Sequence, residues 1–255
     1  MAAPEPAPGT DPDIGPTADT PSTPGALGPT ADTPSTPRTT ADPPSTPGTP
    51  GPTADPAPDP GPGPDRLTVP SMSAGPDFVL RPWEMSDLPL VREASLDPYI
   101  PLITTVPAPY SEAAAEAFVR RQWERAATGA GYPFAIVRSR DRRPVGAIGL
   151  WLRELPEGRA SLGYWLTASA RGQGVARAAL RTVTGWALRD LGVPRLQLYI
   201  EPWNTASARI AEDIGFRREG LLRGWQQVGD ERRDMAVYAL LNDDGPVDGR
   251  AVTVN

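Results

Sequence analysis

Arg171, Gly172, Gln173 and Gly174 stand between a strand-like run, GYWLTAS, and a helix-like one, VARAALRTVTGWALR. That order has a chemical use. The first amides of a helix have no partner within it, and the macrodipole places partial positive charge there. Glycines let the backbone approach a ligand without a Cβ clash, and arginine adds a planar fork of donors. The stretch from Arg171 to Ala176 therefore reads as a cradle for a phosphate-bearing ligand. A dinucleotide fold needs G-x-G-x-x-G and a P-loop NTPase needs a lysine after its last glycine; the stretch has neither. Taken alone, a glycine turn ahead of a helix is also an ordinary structural connection.

The chain has no Cys, no His and no Lys, so all 25 of its basic residues are Arg. This composition excludes disulfide scaffolds, Cys/His zinc sites, Ser-His-Asp and Cys-His catalysis, Schiff-base chemistry and the P-loop lysine. No metal is expected. Chemistry is left to carboxylates, hydroxyls, arginines and backbone groups. In RLQLYIEPW, strand alternation sends Leu196, Leu198 and Ile200 to one face and Tyr199 and Glu201 to the other. Asn204, three residues before Ser207, reads as a helix N-cap.

Alternating strands and helices must position these residues. DFVLRPW (77–83) reads as a strand and EMSDLPLVREA (84–94) as a short helix. SEAAAEAFVRRQWERAATG opens on a capping box at Ser111, with Glu112 to Glu116 in its first turns, and closes at Gly129. PFAIVRSRDRRPVGAIGLWLRE reads as a hairpin turning at Asp141 to Arg143, and RASLGYWLTAS (159–169) as the next strand. After Gly174, apolar Ala176, Leu180, Val183, Ala187 and Leu191 recur at helical spacing until Gly192. RLQLYIEPW (195–203) is a strand, NTASARIAEDIGF holds a short helix closed by Gly215, and the run to Leu241 is a last hairpin turning near Gly229. The pattern predicts one α/β domain over residues 77–241, with about seven strands and about four helices.

Residues 1–76 differ in kind. They hold 22 of the 34 prolines and no aromatic residue, a composition that cannot offset its own conformational entropy and is expected to be disordered. Degenerate units, GPTADTPSTPG at 15–25 and GPTADTPSTPR at 28–38 among them, lack the apolar positions a solenoid needs. They read as a flexible tether, with Pro-dependent docking or Thr modification as alternative uses. Met72 is a candidate for the true start of the protein. Residues 242–255 read as a flexible C-terminus. Of the net charge of -6, the tail carries -7 and the remainder +1, so the folded part has no bulk positive charge with which to hold nucleic acid. With no run of eighteen apolar residues and no secretory pattern, no membrane partner is expected, and the expected location is the cytoplasm.

Four pieces of the sequence occur in a recognisable order: LRPW at 80–83, Arg171-x-x-Gly174-x-Ala176, Asn204-x-x-Ser207, and Ile214-Gly215-Phe216 followed by Glu219-Gly220. Over about residues 77–241 this order resembles the GNAT superfamily of N-acetyltransferases, and more narrowly its RimJ/RimL branch. The resemblance implies a twisted mixed sheet whose two middle strands, 159–169 and 195–203, splay apart to admit the pantetheine arm of acetyl-CoA. It implies that backbone groups of Leu166 and Thr167 bond pantetheine and that the amides of Arg171, Gly172, Gln173, Gly174, Val175 and Ala176 hold the pyrophosphate. Asn204 and Ser207 would lie beside the coenzyme. The implied activity moves an acetyl group to a primary amine, a protein N-terminus or a small amine, by direct attack on the thioester, in a monomer or homodimer. The alternative from another class is a non-catalytic acyl-CoA-binding or docking module that uses the Pro-rich tail.

Direct attack leaves two tasks: removing a proton from an acceptor that arrives as ammonium, and supplying a proton or hydrogen bond to the departing thiolate. Glu201, expected near the splay, is favoured for the first, and its plainer reading is an exposed strand-end glutamate. Glu84, Glu93 and Asp97 are reserve candidates. Ser207 is favoured for the second task, because the resemblance puts the serine of N-x-x-S near the thioester; Tyr199 stands behind it. Trp203 and Trp225 are candidates to shape the acceptor pocket, whereas Trp165 reads as packing.

Overall fold

The computed structural model describes residues 67–244. The expected tether up to residue 66, and the C-terminus from residue 245, lie outside the described residues. The chain forms β1 (Met72–Ser73), β2 (Phe78–Arg81), α1 (Leu88–Ser95), α2 (Ile100–Ile103), α3 (Glu112–Ala127), β3 (Gly131–Arg138), β4 (Arg143–Trp151), β5 (Ala160–Leu166), α4 (Val175–Arg189), β6 (Arg195–Ile200), α5 (Thr205–Ile214), β7 (Arg217–Val228) and β8 (Glu231–Leu241). The strands make a single mixed sheet in the order β1-β2-β3-β4-β5-β6-β8-β7. Its neighbours are antiparallel except β5 and β6, which run parallel and pair only at Ala160 with Leu196 and Ser161 with Gln197. Beyond those two positions they part, which is the expected splay.

Each face of the sheet has its own core. On one, α4 packs Ala179, Leu180, Val183 and Ala187 against Ile148, Leu162, Tyr164, Leu196, Leu198 and Ile200. On the other, α1 and α3 pack Val91, Ala115, Phe118 and Val119 against Ala135, Ala147, Trp165 and Trp83. Strand alternation alone dictates this division: Tyr164 faces the first core and Trp165 the second.

The boundaries correct the sequence reading in four places. The folded unit begins before Asp77: Met72 is 1 % exposed, β1 pairs antiparallel with β2, Leu67 and Val69 pack on the first core, and the Leu67 amide donates to Ala126 O at 3.0 Å. A two-residue strand has no periodicity to read, which is why it was not expected. The predicted helix over 84–94 splits into one 3-10 turn, Met85–Asp87, and α1, which restarts with Pro89 in its first turn. This breakpoint is fixed by Asp87, buried and gripped by Arg81 through two bonds of 2.8 and 2.7 Å; the arginine of LRPW is thus a structural clamp. The capping box at Ser111 is half present, because Ser111 Oγ accepts from the Ala114 amide at 3.2 Å but Ala114 itself offers no returning side chain. After β8, Asn242 is tied down, its amide to Pro194 O and its side chain to Leu188 O.

Candidate active site

The turn from β5 into α4 has the conformation its glycines permit. Gly172 and Gly174 sit at φ 74° and 77°, left-handed values that disfavour any residue with a Cβ. A Cβ at either would meet nothing within 4 Å, so crowding inside the protein is not what requires glycine. No side chain caps α4, and the Gln173 side chain turns back to Ser169 O at 2.6 Å. A fifteen-residue helix thus presents its first amides bare beside the splay, which suits the pyrophosphate of a coenzyme A ester.

Two residues of the expected cradle also bond within the protein. The Arg171 guanidinium donates from one of its nitrogens to Asp97 Oδ2 at 2.5 Å, with both side chains largely buried, which ties it to the segment between α1 and α2. Thr167 gives its amide to Val145 O at 3.0 Å and its hydroxyl to the same oxygen at 3.3 Å; its N–H already serves the β4 side of the sheet. Leu166 pairs with Gly146 of β4, while the opposite edge of β5 lies along the splay.

Asn204 and Ser207 behave as the N-x-x-S spacing requires. Asn204 Oδ1 accepts from the Ser207 amide at 3.0 Å and caps α5. Both residues are buried. Ser207 Oγ in turn accepts from the Tyr164 hydroxyl at 3.1 Å, so β5 and α5 are joined across the splay by a hydroxyl pair. Tyr164 was not singled out from the sequence, although alternation in GYWL would have put it opposite Trp165 and toward α5.

Glu201 is 6 % exposed, which overturns the reading of it as a solvated strand-end residue. Its Oε1 accepts from the Tyr99 hydroxyl and its Oε2 from Trp203 Nε1. Tyr99 and Trp203 meet edge to face at 5.4 Å between ring centroids. Burial, then the Glu201 carboxylate, push the Tyr99 phenol far above its usual pKa, so it remains a donor at any working pH. Tyr99 owes its place to Asp97, whose Oδ1 accepts from the amides of Tyr99 and Ile100 at 2.9 and 3.0 Å. Burial opposes the charged form of Asp97, but those amides and Arg171 outweigh it and hold its pKa below the ordinary aspartate value. The anion turn and the Glu201 carboxylate are therefore connected through Arg171, Asp97 and Tyr99.

The other candidates fall elsewhere. Tyr199 donates its hydroxyl to Gln197 at 3.0 Å and stacks on Trp225 at 5.7 Å; it packs with Ile103, Val228 and Met235, on the face of β6 opposite Ser207. The structure does not bring it to the Ser207–Tyr164 pair. Glu93 bonds Ser169 and Arg143, and Glu84 bonds Ser86 beside Arg81. Trp203 and Trp225, each 45 % exposed, line the Glu201 side of the sheet as expected. Among the described residues there is no cluster of His, Cys, Asp or Glu that could hold a metal, and no helix is long and apolar enough to cross a membrane.

Comparison with known proteins agrees with this geometry. Residues 77–217 match the model of a family described as the acetyltransferase (GNAT) domain. An uncharacterized N-acetyltransferase p20 of Bacillus licheniformis is 24% identical over 165 residues, 64% of this chain and 92% of its own. Among solved structures, RimJ of Mycobacterium smegmatis in complex with CoA-disulfide superposes with a TM-score of 0.59 at 24% identity, covering 69% of this chain and 88% of its own. A RimL, described as a ribosomal L7/L12 alpha-N-protein acetyltransferase in complex with coenzyme A, also gives 0.59, at 19% identity, over 69% and 99%. The splayed mixed sheet, the bare α4 turn and the matched residues together place the chain in the GNAT family of N-acetyltransferases.

Proposed function

We propose that this chain transfers the acetyl group of acetyl-CoA to a primary amine by direct attack of the amine on the thioester, with no acyl-enzyme. The observation that carries the reading is the carboxylate of Glu201, buried at the end of β6 and flanked by Tyr99 and Trp203. Two donors fix its oxygens, while a carboxylate has about four acceptor sites, so lone pairs remain for an incoming ammonium. Two aromatic rings beside it favour a cation further. Glu201 accepts the proton the ammonium must lose before it can attack, directly or by way of water. The amides from Gly172 to Ala176 hold the pyrophosphate, and the β6-facing edge of β5 receives the pantetheine arm. Ser207, itself receiving a hydrogen bond from Tyr164, gives a hydrogen bond to the departing thiolate.

The structures of RimJ and RimL were solved with coenzyme A bound, which supports the same ligand for the α4 turn here. Acetyl-CoA-dependent release of free thiol across a panel of amines and peptide N-termini tests the reading. A panel without turnover, from protein whose melting temperature acetyl-CoA raises, would reduce it to a binding module.

A further inference from the structure

Two aromatic rings bound the way to the Glu201 carboxylate. Glu201 itself is 6 % exposed, and the side chains bonded to its oxygens are those of Tyr99 and Trp203. An acceptor arriving from solvent therefore passes these rings to reach the lone pairs left free. Tyr99 is half-buried and packs on the cluster of Ile103, Tyr199, Val228 and Met235. Trp203 is 45 % exposed. A tryptophan can bury up to about 250 Å², so roughly 100 Å² of this one stays open to solvent.

Trp203 is exposed and yet held in one place. Its indole Nε1 donates to Glu201 Oε2, and its ring meets Tyr99 edge to face, at 84° and 5.4 Å between centroids. Its backbone lies in the tight turn from β6 into α5: the Asn204 amide donates to Glu201 O and the Thr205 amide to Trp203 O, both at 2.9 Å, and Asn204 caps α5. A ring fixed in this way loses little conformational freedom when a ligand covers it. Because the bond that fixes it ends on the carboxylate, the surface is prepared for whatever the carboxylate receives.

The indole also selects what covers it. Its N–H is already given to Glu201, so the open surface is π face and ring edge, with no donor left for a polar substituent. An aromatic ring gains most on such a surface, through offset or edge-to-face contact worth more than the area it covers. A spacer of two carbons carries a ring from an ammonium at the carboxylate onto the indole, whose own nitrogen is bonded to that carboxylate.

The geometry points to Trp203 as a specificity-determining residue: the amine acetylated by this protein carries an aromatic ring two carbons from its nitrogen, and the ring lies on the open face of the Trp203 indole while the ammonium lies at Glu201. This inference rests on the acetyltransfer reading above and names its substrate class. A small arylalkylamine and a chain whose first residue is aromatic share that chemistry.

The test pairs amines of equal length that differ only in the ring. Phenethylamine and cyclohexylethylamine stand for the small amine, phenylalaninamide and cyclohexylalaninamide for the first residue of a chain. The expected kcat/KM favours the aromatic member of at least one pair about 3- to 10-fold, the size of a ring–ring preference beyond area. A surface that is merely apolar favours the cyclohexyl member, whose hydrocarbon ring is the larger. Trp203→Phe keeps a ring and loses the donor to Glu201; it is expected to lower kcat/KM for both members and to keep their ratio. Trp203→Gln loses the ring and keeps a donor, its Nε2 lying as many bonds from Cβ as the indole nitrogen; it is expected to bring the ratio to one or below. Opposite effects of the two variants on the ratio exclude misfolding as the cause. Equal kcat/KM within both pairs, or a ratio that survives Trp203→Gln, overturns the role of Trp203 and leaves the acetyltransfer reading standing. Should no amine turn over, the acetyltransfer reading fails, and calorimetry of the coenzyme A complex with the same pairs still decides the role of Trp203: an aromatic preference of about threefold or more that Trp203→Gln abolishes upholds it, and any other result, absence of heat included, overturns it.

Discussion

Replacing Asp97 by Asn separates the two halves of the site. Asparagine keeps an oxygen to accept the amides of Tyr99 and Ile100, so the start of α2 survives, but its Nδ2, a donor in place of Oδ2, cannot accept from Arg171 and the charged bond is lost. A hydrogen bond to a charged group is worth about 1.5–3 kcal/mol when buried, and partial exposure reduces this to about 1–2 kcal/mol. For a folded unit of this size that corresponds to a fall in melting temperature of about 2–8 °C. The sign with pH follows from the lowered pKa of Asp97: a depressed folded pKa gives stability that is present above the unfolded value near 3.9 and is lost as pH falls through the folded one. The difference in melting temperature between the parent protein and Asp97→Asn is therefore full at pH 6–8 and shrinks below about pH 4. Kinetically, the variant loosens the tie between the anion turn and the segment that carries Tyr99, so KM for the amine rises, by no more than the tenfold that losing one bond of about 1.4 kcal/mol would give. Arg171 is meanwhile released toward the anion turn, so KM for acetyl-CoA stays level or falls. Calorimetric melts from pH 3 to 8 and two-substrate kinetics read all of this. A rise in KM for acetyl-CoA with KM for the amine unchanged would refute the connection.

Other perturbations have equally definite outcomes. Gly174→Ala forces a Cβ onto a left-handed residue at a cost of about 1–2 kcal/mol and projects it into open space beside α4; melting temperature falls by about 2–8 °C, and the stabilisation by acetyl-CoA in a thermal shift weakens further. Glu201→Gln keeps one oxygen to accept from Trp203 and turns its Nε2 to donate to the Tyr99 hydroxyl, but cannot take a proton, so kcat/KM at neutral pH falls about 10²- to 10⁴-fold, while acetyl-CoA still raises the melting temperature; unchanged turnover would remove Glu201 as the base. Tyr164→Phe breaks the bond to Ser207 and lowers kcat without moving KM for acetyl-CoA, measured by thiol release; Ser207→Ala has the larger effect of the two. A chain starting at Met72 loses the partly buried Leu67 and Val69, about 1 kcal/mol each, and melts several degrees lower than one starting at Leu67.

The sequence is most legible where a backbone conformation or a period leaves a mark. Gly172 and Gly174 announce a turn that needs left-handed residues, Asn204 announces an N-cap, and the apolar spacing of Ala176, Leu180, Val183 and Ala187 announces the helix that follows. Alternation in RLQLYIEPW separates Leu198 from Tyr199 correctly because strands have period two whatever they pack against. Contacts between distant segments leave no such mark. Nothing near Asp97 says that Arg171, 74 positions later, is its partner, and nothing near Glu201 names Tyr99. An arginine in a glycine turn reads as an anion ligand, and only the fold shows that its guanidinium also reaches Asp97.

The arrangement of the two proton-handling groups follows from the splay. Glu201 projects from β6 to the face of Tyr99 and Trp203, whereas Ser207 and Tyr164 meet on the face of α4 and α5. With the sheet between them, the groups have access to one reaction only through the gap that opens beyond Ser161 and Gln197. On the proposed function, a proton lost by the amine on one side and a hydrogen bond gained by the thiolate on the other are coupled through the reacting atoms. The same partition, on the proposed function, gives each face one substrate: the bare helix amides take the anionic coenzyme, and the carboxylate among aromatic rings takes the cationic acceptor.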